Sequence, residues 1–475
     1  MSVPHSQSAK ELEKSFFAKL TSIIQSQNLH CQQTGIAVAY SGGLDSTVLL
    51  ALASLYAQQE QIPIFAYHVN HGISANALAW ETHCQNVCER LSIPFKAQQV
   101  SIHNQGQGIE SVARAERYRA LGQMCEADHV GLLLVAHHLE DQAETMLMQL
   151  FRGTGLRGLG GMDEFNFAPT LLNSQKVLIA RPLLTETKSC IQNYATQNQL
   201  QNIEDESNDN VLFTRNATRH LLMPNIERIF PHFSERLLRT SMHTRSAQRL
   251  LDDLAKTDLA SCSQNNVLDL AQLSQLNADR VSNAFRFWLS SNYVQLPSTS
   301  KIAEIQAQLF NARDDAKVAI RHGEFSICRY ASRIYLVDHR FESSYHEDIE
   351  YRWHGEERKY FPELKGTLLF QPSDFGVNAR GLSDITMVIR RREGGERLRL
   401  AKNRPSRDLK SHFQSAKIPF WQREKLPVIY VENRLFFVGL LGVDAAFLSD
   451  EVDESKSPED KIQLIWLPDG SERKA

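Results

Sequence analysis

The most constraining stretch of this 475-residue chain is a short turn, Ser41-Gly42-Gly43-Leu44-Asp45-Ser46, set between two apolar runs. Ile36-Ala-Val-Ala-Tyr40 before it has the apolar, β-branched character of a buried strand, and Val48-Leu-Leu-Ala-Leu-Ala53 after it reads as a helix. Two adjacent glycines let the turn take positive φ and approach a ligand closely, while the first N–H groups of the new helix have no partner within it. Such a turn binds anions. Ser41 and Ser46 add hydroxyl donors, with Ser46 expected to cap the helix, but Asp45 repels a phosphate unless a divalent cation lies between them. The stretch therefore predicts a nucleotide and Mg2+ site. It lacks the Gly-Lys-Ser/Thr ending of a Walker A loop and the G-x-G-x-x-G spacing of a dinucleotide fold.

Further strand-like segments occupy residues 63–69, 95–100, 131–136 and 177–184, with helical patterns between them. Leu78, Cys84, Val87, Cys88 and Leu91 predict one buried helical face, and Ile109, Val112, Ala113, Tyr118 and Leu121 another. The alternation predicts an α/β domain with a doubly wound parallel sheet. Ligands in that architecture gather at the carboxyl ends of strands, where Asn70, His71 and His137 fall. Cys84 and Cys88 beside His83 have a metal-like spacing, but no second pair exists and both lie on the buried stripe, so core packing is expected.

The second informative stretch is His137-His138-Leu-Glu140-Asp141-Gln142-Ala-Glu144-Thr145. As one helix it places His137, Asp141 and Glu144 on a common face, opposite Met146, Leu147, Leu150 and Phe151. An acidic face thus projects from a strand end. Arg114 and Arg117, three apart, also share a face, as a phosphate clamp or as plain solvated charge. The run from Arg152 to Gly161 is glycine-rich but follows a helix instead of a strand. It is expected to be a mobile basic loop that closes over substrate or guides RNA through Arg152 and Arg157. Residues 204–210 form a polar loop leading to Arg215-Asn216 and Arg219-His220, either a domain hinge or an anion site at Arg215.

From Pro224 the pattern is helical to about residue 311, with strand-like residues 317–320 and 334–337 expected to pair as a hairpin. The expected organisation is a catalytic domain over 1–223, a mainly helical domain over 224–340, a linker with strand-like segments over 341–380, and a small α+β domain over 381–475. Between Ile389 and Lys425 twelve Lys/Arg stand against four acids, in a chain whose net charge is −3. Arg391, Arg392, Arg397, Lys410 and Arg423, interleaved with Phe413, Phe420 and Trp421, predict a surface for RNA phosphates and bases; a solvated charge run is the alternative. The polar start from Met1 to Lys14 and the lack of a long apolar run predict a cytoplasmic protein with no membrane partner. Seven scattered cysteines without a C-x-x-C pair predict no disulfide framework.

Several motifs converge on one family. The 41–46 turn, His68-Val-Asn-His71-Gly72, Glu110-Ser-Val-Ala-Arg114-Ala-Glu-Arg117-Tyr118, the run from His137 to Thr145, Arg152 with its glycines, and Arg215-Asn216 resemble the tRNA(Ile)-lysidine synthetases of the ATP-pyrophosphatase superfamily. So do Arg391-Arg392-Glu-Gly394-Gly395-Glu-Arg397, Leu409-Lys410 and Lys417-Ile-Pro419-Phe-Trp421-Gln-Arg423. Two positions depart from the family pattern: Glu140 stands where an aspartate is usual, and Glu206 where a proline is usual.

The resemblance implies that ATP adenylates O2 of the wobble cytidine in the CAU anticodon of an isoleucine tRNA, and that the ε-amine of free lysine then displaces AMP at C2. It implies that Ser41, Gly42, Gly43, Leu44, Asp45, Ser46, Arg114 and His137 bind ATP, with Asp45 holding Mg2+. It further implies that Asp141 and Glu144 bind the lysine ammonium and take its proton, since an amine with a pKa of about 10.4 must be deprotonated to attack. Arg114 and Arg215 would meet the charge of AMP or pyrophosphate, and the basic C-terminal domain would read the acceptor stem. The rivals are a tRNA thiolase of the same superfamily with a sulfur nucleophile, and a non-catalytic RNA-binding protein with a relic nucleotide fold. The oligomeric state is open, a homodimer being one option.

Overall fold

The computed structural model describes residues 9–70, 72, 76–100, 109–204, 211–313, 316–339, 347–383, 385–448 and 461–469, with the side chains of 109–111 excepted. His71, Glu206 with the rest of loop 205–210, and the side chains of Ile109 and Glu110 lie outside the described residues. The chain divides into two compact units, Met1–Leu250 and Leu251–Ala475.

The first unit is built on a six-stranded sheet of β1 (Ile36–Ala39), β2 (Ile64–Asn70), β3 (Phe95–Gln99), β4 (Leu132–Leu134), β5 (Phe165–Phe167) and β6 (Leu178–Ala180), in the order β3-β2-β1-β4-β6-β5. β1 runs parallel to both neighbours, Ile36 standing opposite Ile64 on one side and Leu132 on the other. Only β5 is antiparallel, along β6. The sequence pattern missed β5 because Phe-Asn-Phe is too short to show an alternation.

The central strands are apolar at every position because both faces are covered. Ile36, Val38, Leu132, Leu134, Leu178 and Ala180 pack with Leu12, Phe16 and Leu20 of helix Ala9–Ser26 and with helices Leu44–Glu60, Ala77–Arg90 and Lys188–Gln197. Ala37, Leu133 and Ile179 point the other way, onto Tyr118, Leu121 and Cys125 of helix Ile109–Ala127. Of the stripe expected on Ala77–Arg90, Cys84, Val87 and Cys88 are buried, but Leu78 and Leu91 are exposed. Burial pushes the thiols of Cys84 and Cys88 up to about 12, the state of packed cysteines. All seven cysteines are free.

Strand order reverses between β1 and β4: the chain passes from β1 to β2 and β3 on one side, then crosses back to β4 on the other. The turn after β1 and the segment after β4 therefore flank the crevice where such sheets bind ligands.

In the second unit, helices Ala278–Ser291 and Thr299–Asn311 share a core with a five-stranded antiparallel sheet. The expected hairpin does not form. Val318–His322 and Arg333–Asp338 each pair with the intervening Phe325–Tyr330, a strand whose Ser326 and Arg329 broke the apolar pattern. The stretch expected as a linker with strand-like segments, 341–380, supplies three strands. Ile349–Arg352 joins Thr386–Arg390 in a five-stranded sheet, while Arg358–Phe361 and Gly366–Asn378 form a three-stranded sheet with Lys461–Pro468. Leu368, Phe413, Phe436 and Phe437 fill the core beside them. Among the described residues no helix is long and apolar enough to cross a membrane.

Candidate active site

The turn after β1 is closed by its own hydroxyls. Ser46 Oγ donates to the Gly43 carbonyl (3.0 Å), lies 3.0 Å from Ser41 Oγ, and accepts from the Ser41 N–H (3.3 Å). Gly43 is the cap of helix Leu44–Glu60, so Ser46, on its first turn, braces the loop instead of capping it as expected. Gly42 has φ +83, and a Cβ there would lie 2.8 Å from both Cys84 Sγ and Ile203 Cδ1. Its carbonyl accepts from the Ile203 N–H (2.9 Å) and Thr47 Oγ1 (3.2 Å). Only glycine meets both requirements.

Asp45, in the first turn of that helix, is half-buried and ion-paired with Lys188 Nζ at 2.5 and 2.7 Å. His138 Nε2 stands 3.8 Å away. Lys188 opens helix Lys188–Gln197, and its backbone N–H donates to Glu140 Oε2 (3.0 Å), which also meets His138 Nδ1 (2.9 Å). Glu140 thus ties the start of one helix to the start of another. Lys188 carried no signal in the sequence, because a basic residue at the head of an amphipathic helix is ordinary.

Helix Leu139–Phe151 begins after the cap His138, whose N–H donates to Asp141 Oδ2 (3.0 Å). His137 precedes the cap and does not share a helical face with Asp141 and Glu144, contrary to the i, i+4, i+7 reading. Met146 and Leu147 are buried as expected, but Leu150 and Phe151 are 53% and 71% exposed.

Asp141 and Glu144 are both buried and face two arginines. Arg215 reaches Asp141 (3.2 Å) and Glu144 (2.9 Å); Arg219 reaches Asp141 (3.0 Å) and Glu144 (2.5 Å). The two arginines lie on successive turns of residues 214–229, where a wide turn, Thr218–Leu222, interrupts the α-helix. Such π-type turns gather at functional sites. Arg219 was noted in the sequence without a role, although its four-residue spacing from Arg215 is the signal that both share a face.

Burial by itself raises the Asp141 carboxyl, but the charges of His138 and Arg215 and the hydrogen bond from the His138 N–H prevail and hold it well below the usual carboxylate range. Burial lowers His138, and the carboxylates of Asp141, Glu140 and Asp45 outweigh it, so His138 is raised. His137 is driven well below its ordinary value by burial, with Arg181, Arg114 and Arg215 acting in the same direction. Its Nδ1 is buried without a hydrogen-bond partner among the described residues. Arg114 and Arg117 lie over the Tyr118 ring at 5.0 and 5.4 Å. Arg114 and Arg181 act electrostatically on His137, and Arg114 and Arg215 on Arg117, so three further guanidiniums lie in the neighbourhood of the Arg215 and Arg219 pair.

Arg152 and Arg157 are exposed. The glycine run between them is anchored at its far end, where Gln142 makes a two-way amide contact with Met162 (2.7 and 3.0 Å), and part of it is a helical turn, Leu156–Leu159. It is not free along its length as expected. In the second unit Arg391, Arg397 and Lys410 are exposed, and Arg392 is half-buried over Phe413 at 5.6 Å. Arg423 does not face outward: it is 7% exposed and donates to the carbonyl of Ile418 (2.7 Å) and to Tyr330 Oη (3.3 Å). Trp421 packs half-buried against Tyr335 and Tyr330, with centroids at 5.1 and 6.2 Å, and Phe413 is fully buried. Charge counting cannot see that burial.

Residues 12–226 match the family model of a PP-loop domain, residues 268–335 that of the TilS substrate binding domain, and residues 387–459 that of the TilS substrate C-terminal domain. The chain is 36% identical over 469 residues to the tRNA(Ile)-lysidine synthase of Burkholderia pseudomallei, covering 92% of this chain and 94% of that one. It is 34% identical to the enzyme of the same name from Coxiella burnetii, over 85% of this chain and 88% of that one. The Nitrosomonas europaea relative, also so named, is 34% identical over 88% and 89%.

Proposed function

Because the chain belongs to the tRNA(Ile)-lysidine synthase family, we propose how its own residues divide the work of ATP-dependent lysidine formation on tRNA(Ile). The reading rests on one observation. The turn after β1 and the acidic helix after β4 are joined through Asp45, Lys188, Glu140 and His138, so a phosphate site and a carboxylate site open on one crevice.

Ser41, Gly42, Gly43, Leu44 and Ser46 cradle the triphosphate of ATP with the helix N-terminus behind them. Asp45 is a half-exposed carboxylate on that turn, and because Mg2+ takes one or two carboxylates with phosphate oxygens and water, it would fit there in place of the Lys188 ammonium that holds both Asp45 oxygens. Bound there, Mg2+ would neutralise charge on the departing pyrophosphate. The neutral His137 and the cationic Arg114 line the nucleotide, and Arg114 and Arg215 meet phosphate charge.

A pyrimidine carbonyl oxygen is a poor leaving group, and adenylation at O2 makes it part of AMP. Asp141 and Glu144 receive the ε-ammonium of free lysine and orient it to C2. One of the two carboxylates takes the proton as the amine attacks. A thiolase reading has less support, since Cys84, the thiol beside the turn, is buried and pushed up to about 12. Arg152, Arg157, Arg391, Arg392, Arg397, Lys410 and Trp421 contact the tRNA, whose phosphates the exposed cations fit. The reaction belongs in the cytoplasm, where its substrates are.

The test is AMP release by the purified protein from ATP and Mg2+ with CAU-anticodon tRNA(Ile), with and without lysine. Lysine-dependent release with lysine incorporation is expected, and its loss in Asp141→Ala. Lysine-independent release with sulfur transfer would mean a thiolase, and tRNA binding without ATP consumption a binding protein.

A further inference from the structure

The two carboxylates assigned to the lysine ammonium are already closed. Glu144 Oε1 is held by Arg219 Nε (2.5 Å), and Oε2 by Arg215 Nε (2.9 Å) and Arg219 Nη2 (3.0 Å). Asp141 Oδ1 is held by Arg215 Nη2 (3.2 Å) and Arg219 Nη2 (3.0 Å), and Oδ2 by the His138 N–H (3.0 Å). Every carboxylate oxygen has a donor, and two acids with two guanidiniums are neutral together. An arriving ammonium meets oxygens already engaged by guanidiniums or a backbone N–H and, from the paired quartet, no net attraction.

The acids cannot yield, because their side chains are 10% and 1% exposed on a helix packed into the domain. The arginines can. Their side chains are 24% and 35% exposed, Arg219 being the more open and lying in the widened turn Thr218–Leu222. A polyphosphate in the crevice offers a guanidinium a partner as strong as the carboxylate it would leave, with the same two-pronged geometry.

We propose that Arg219 is a positioning residue that withholds the lysine site until nucleotide is bound. The nucleotide phosphates draw its guanidinium away from Glu144, which leaves the carboxylate pair net negative and open to the ammonium. Nucleotide and lysine are thereby coupled through an exchange of counter-ions, and nucleotide precedes lysine. By linkage, lysine raises nucleotide affinity by the same factor. This inference rests on the assignment of lysine to Asp141 and Glu144 made above.

The experiment is calorimetric titration of lysine into the full-length protein, alone and saturated with a non-hydrolysable ATP analogue and Mg2+. Wild type should bind lysine at least about tenfold more tightly with nucleotide, roughly 1.4 kcal/mol of coupling. Arg219→Gln should bind lysine without nucleotide and lose most of the ratio, whereas Arg219→Lys, which keeps the charge, should retain part of it. A merely structural arginine would not change that ratio. Equal lysine affinity in wild type with and without nucleotide overturns the proposal, while Glu144→Gln abolishing lysine binding in the same series keeps the carboxylate assignment. If Asp141→Asn and Glu144→Gln bind lysine as wild type does, the assignment itself fails. Should Arg219→Gln not fold, the wild-type ratio and Arg219→Lys still decide.

Discussion

Replacing Glu144 by glutamine keeps the shape of a side chain that is 1% exposed and removes its charge from between two guanidiniums. Breaking a buried ion pair by neutralising one partner costs about 3 to 5 kcal/mol, because the other charge is left uncompensated. Two features reduce that here. Arg215 and Arg219 keep Asp141 as a second partner, and their side chains are 24% and 35% exposed, so water relieves part of the loss. A cost of about 2 kcal/mol is the result, or about 4 to 8 °C in the melting transition of a unit of this size. Scanning calorimetry of wild type, Glu144→Gln, Arg219→Gln and the double variant measures it. The double variant should cost less than the two single costs together by about 1 kcal/mol, because it removes both charges. A Glu144→Gln transition within about 1 °C of wild type, with additive single effects, would show a solvated surface cluster and refute the closed quartet.

Gly42→Ala, at φ +83 and with its Cβ 2.8 Å from Cys84 Sγ and Ile203 Cδ1, should destabilise the first unit by about 2 kcal/mol or more and weaken nucleotide binding. Wild-type melting and nucleotide titration would contradict it. Stability should also depend on pH through three groups. Asp141, depressed in the fold, contributes fully above its unfolded value of about 3.9 and loses that as pH falls toward its folded value. His137, kept neutral in the fold, costs stability as pH falls below about 6.5, so His137→Gln should flatten that limb of a urea-midpoint profile. His138, raised in the fold, contributes below about 6.5 and loses it as pH rises through its folded value, so His138→Gln should flatten the opposite limb. Unchanged limbs would refute these roles. In the second unit, Arg397→Gln and Lys410→Gln should each lower the slope of log tRNA affinity against log salt by about 1, whereas the buried Arg423→Gln should lower the melting temperature and leave the slope alone.

These variants separate two kinds of residue, and the same division explains what the sequence could disclose. The turn at 41–46 and the parallel strands were legible because their signals are local: two glycines after an apolar run, and strands apolar at every position because helices cover both faces. Asp141 and Glu144 were legible for the same reason, as acids heading a helix at a strand end. Their partners were not. Lys188 meets Asp45 across 143 residues and Arg219 meets Glu144 across 75, and no periodicity spans such gaps. Burial failed in the same manner. Arg423 counted as surface charge because its contact with Tyr330 lies 93 residues away, and Leu150 and Phe151 counted as core because their spacing cannot report whether another element covers them. Local pattern therefore identifies which groups are candidates for the chemistry, while long-range pairing decides the state in which they wait. A sequence reading that assigns lysine to two acidic residues is complete as chemistry but silent on whether those acids are open, and in this fold four oxygens already engaged by donors make that the deciding question.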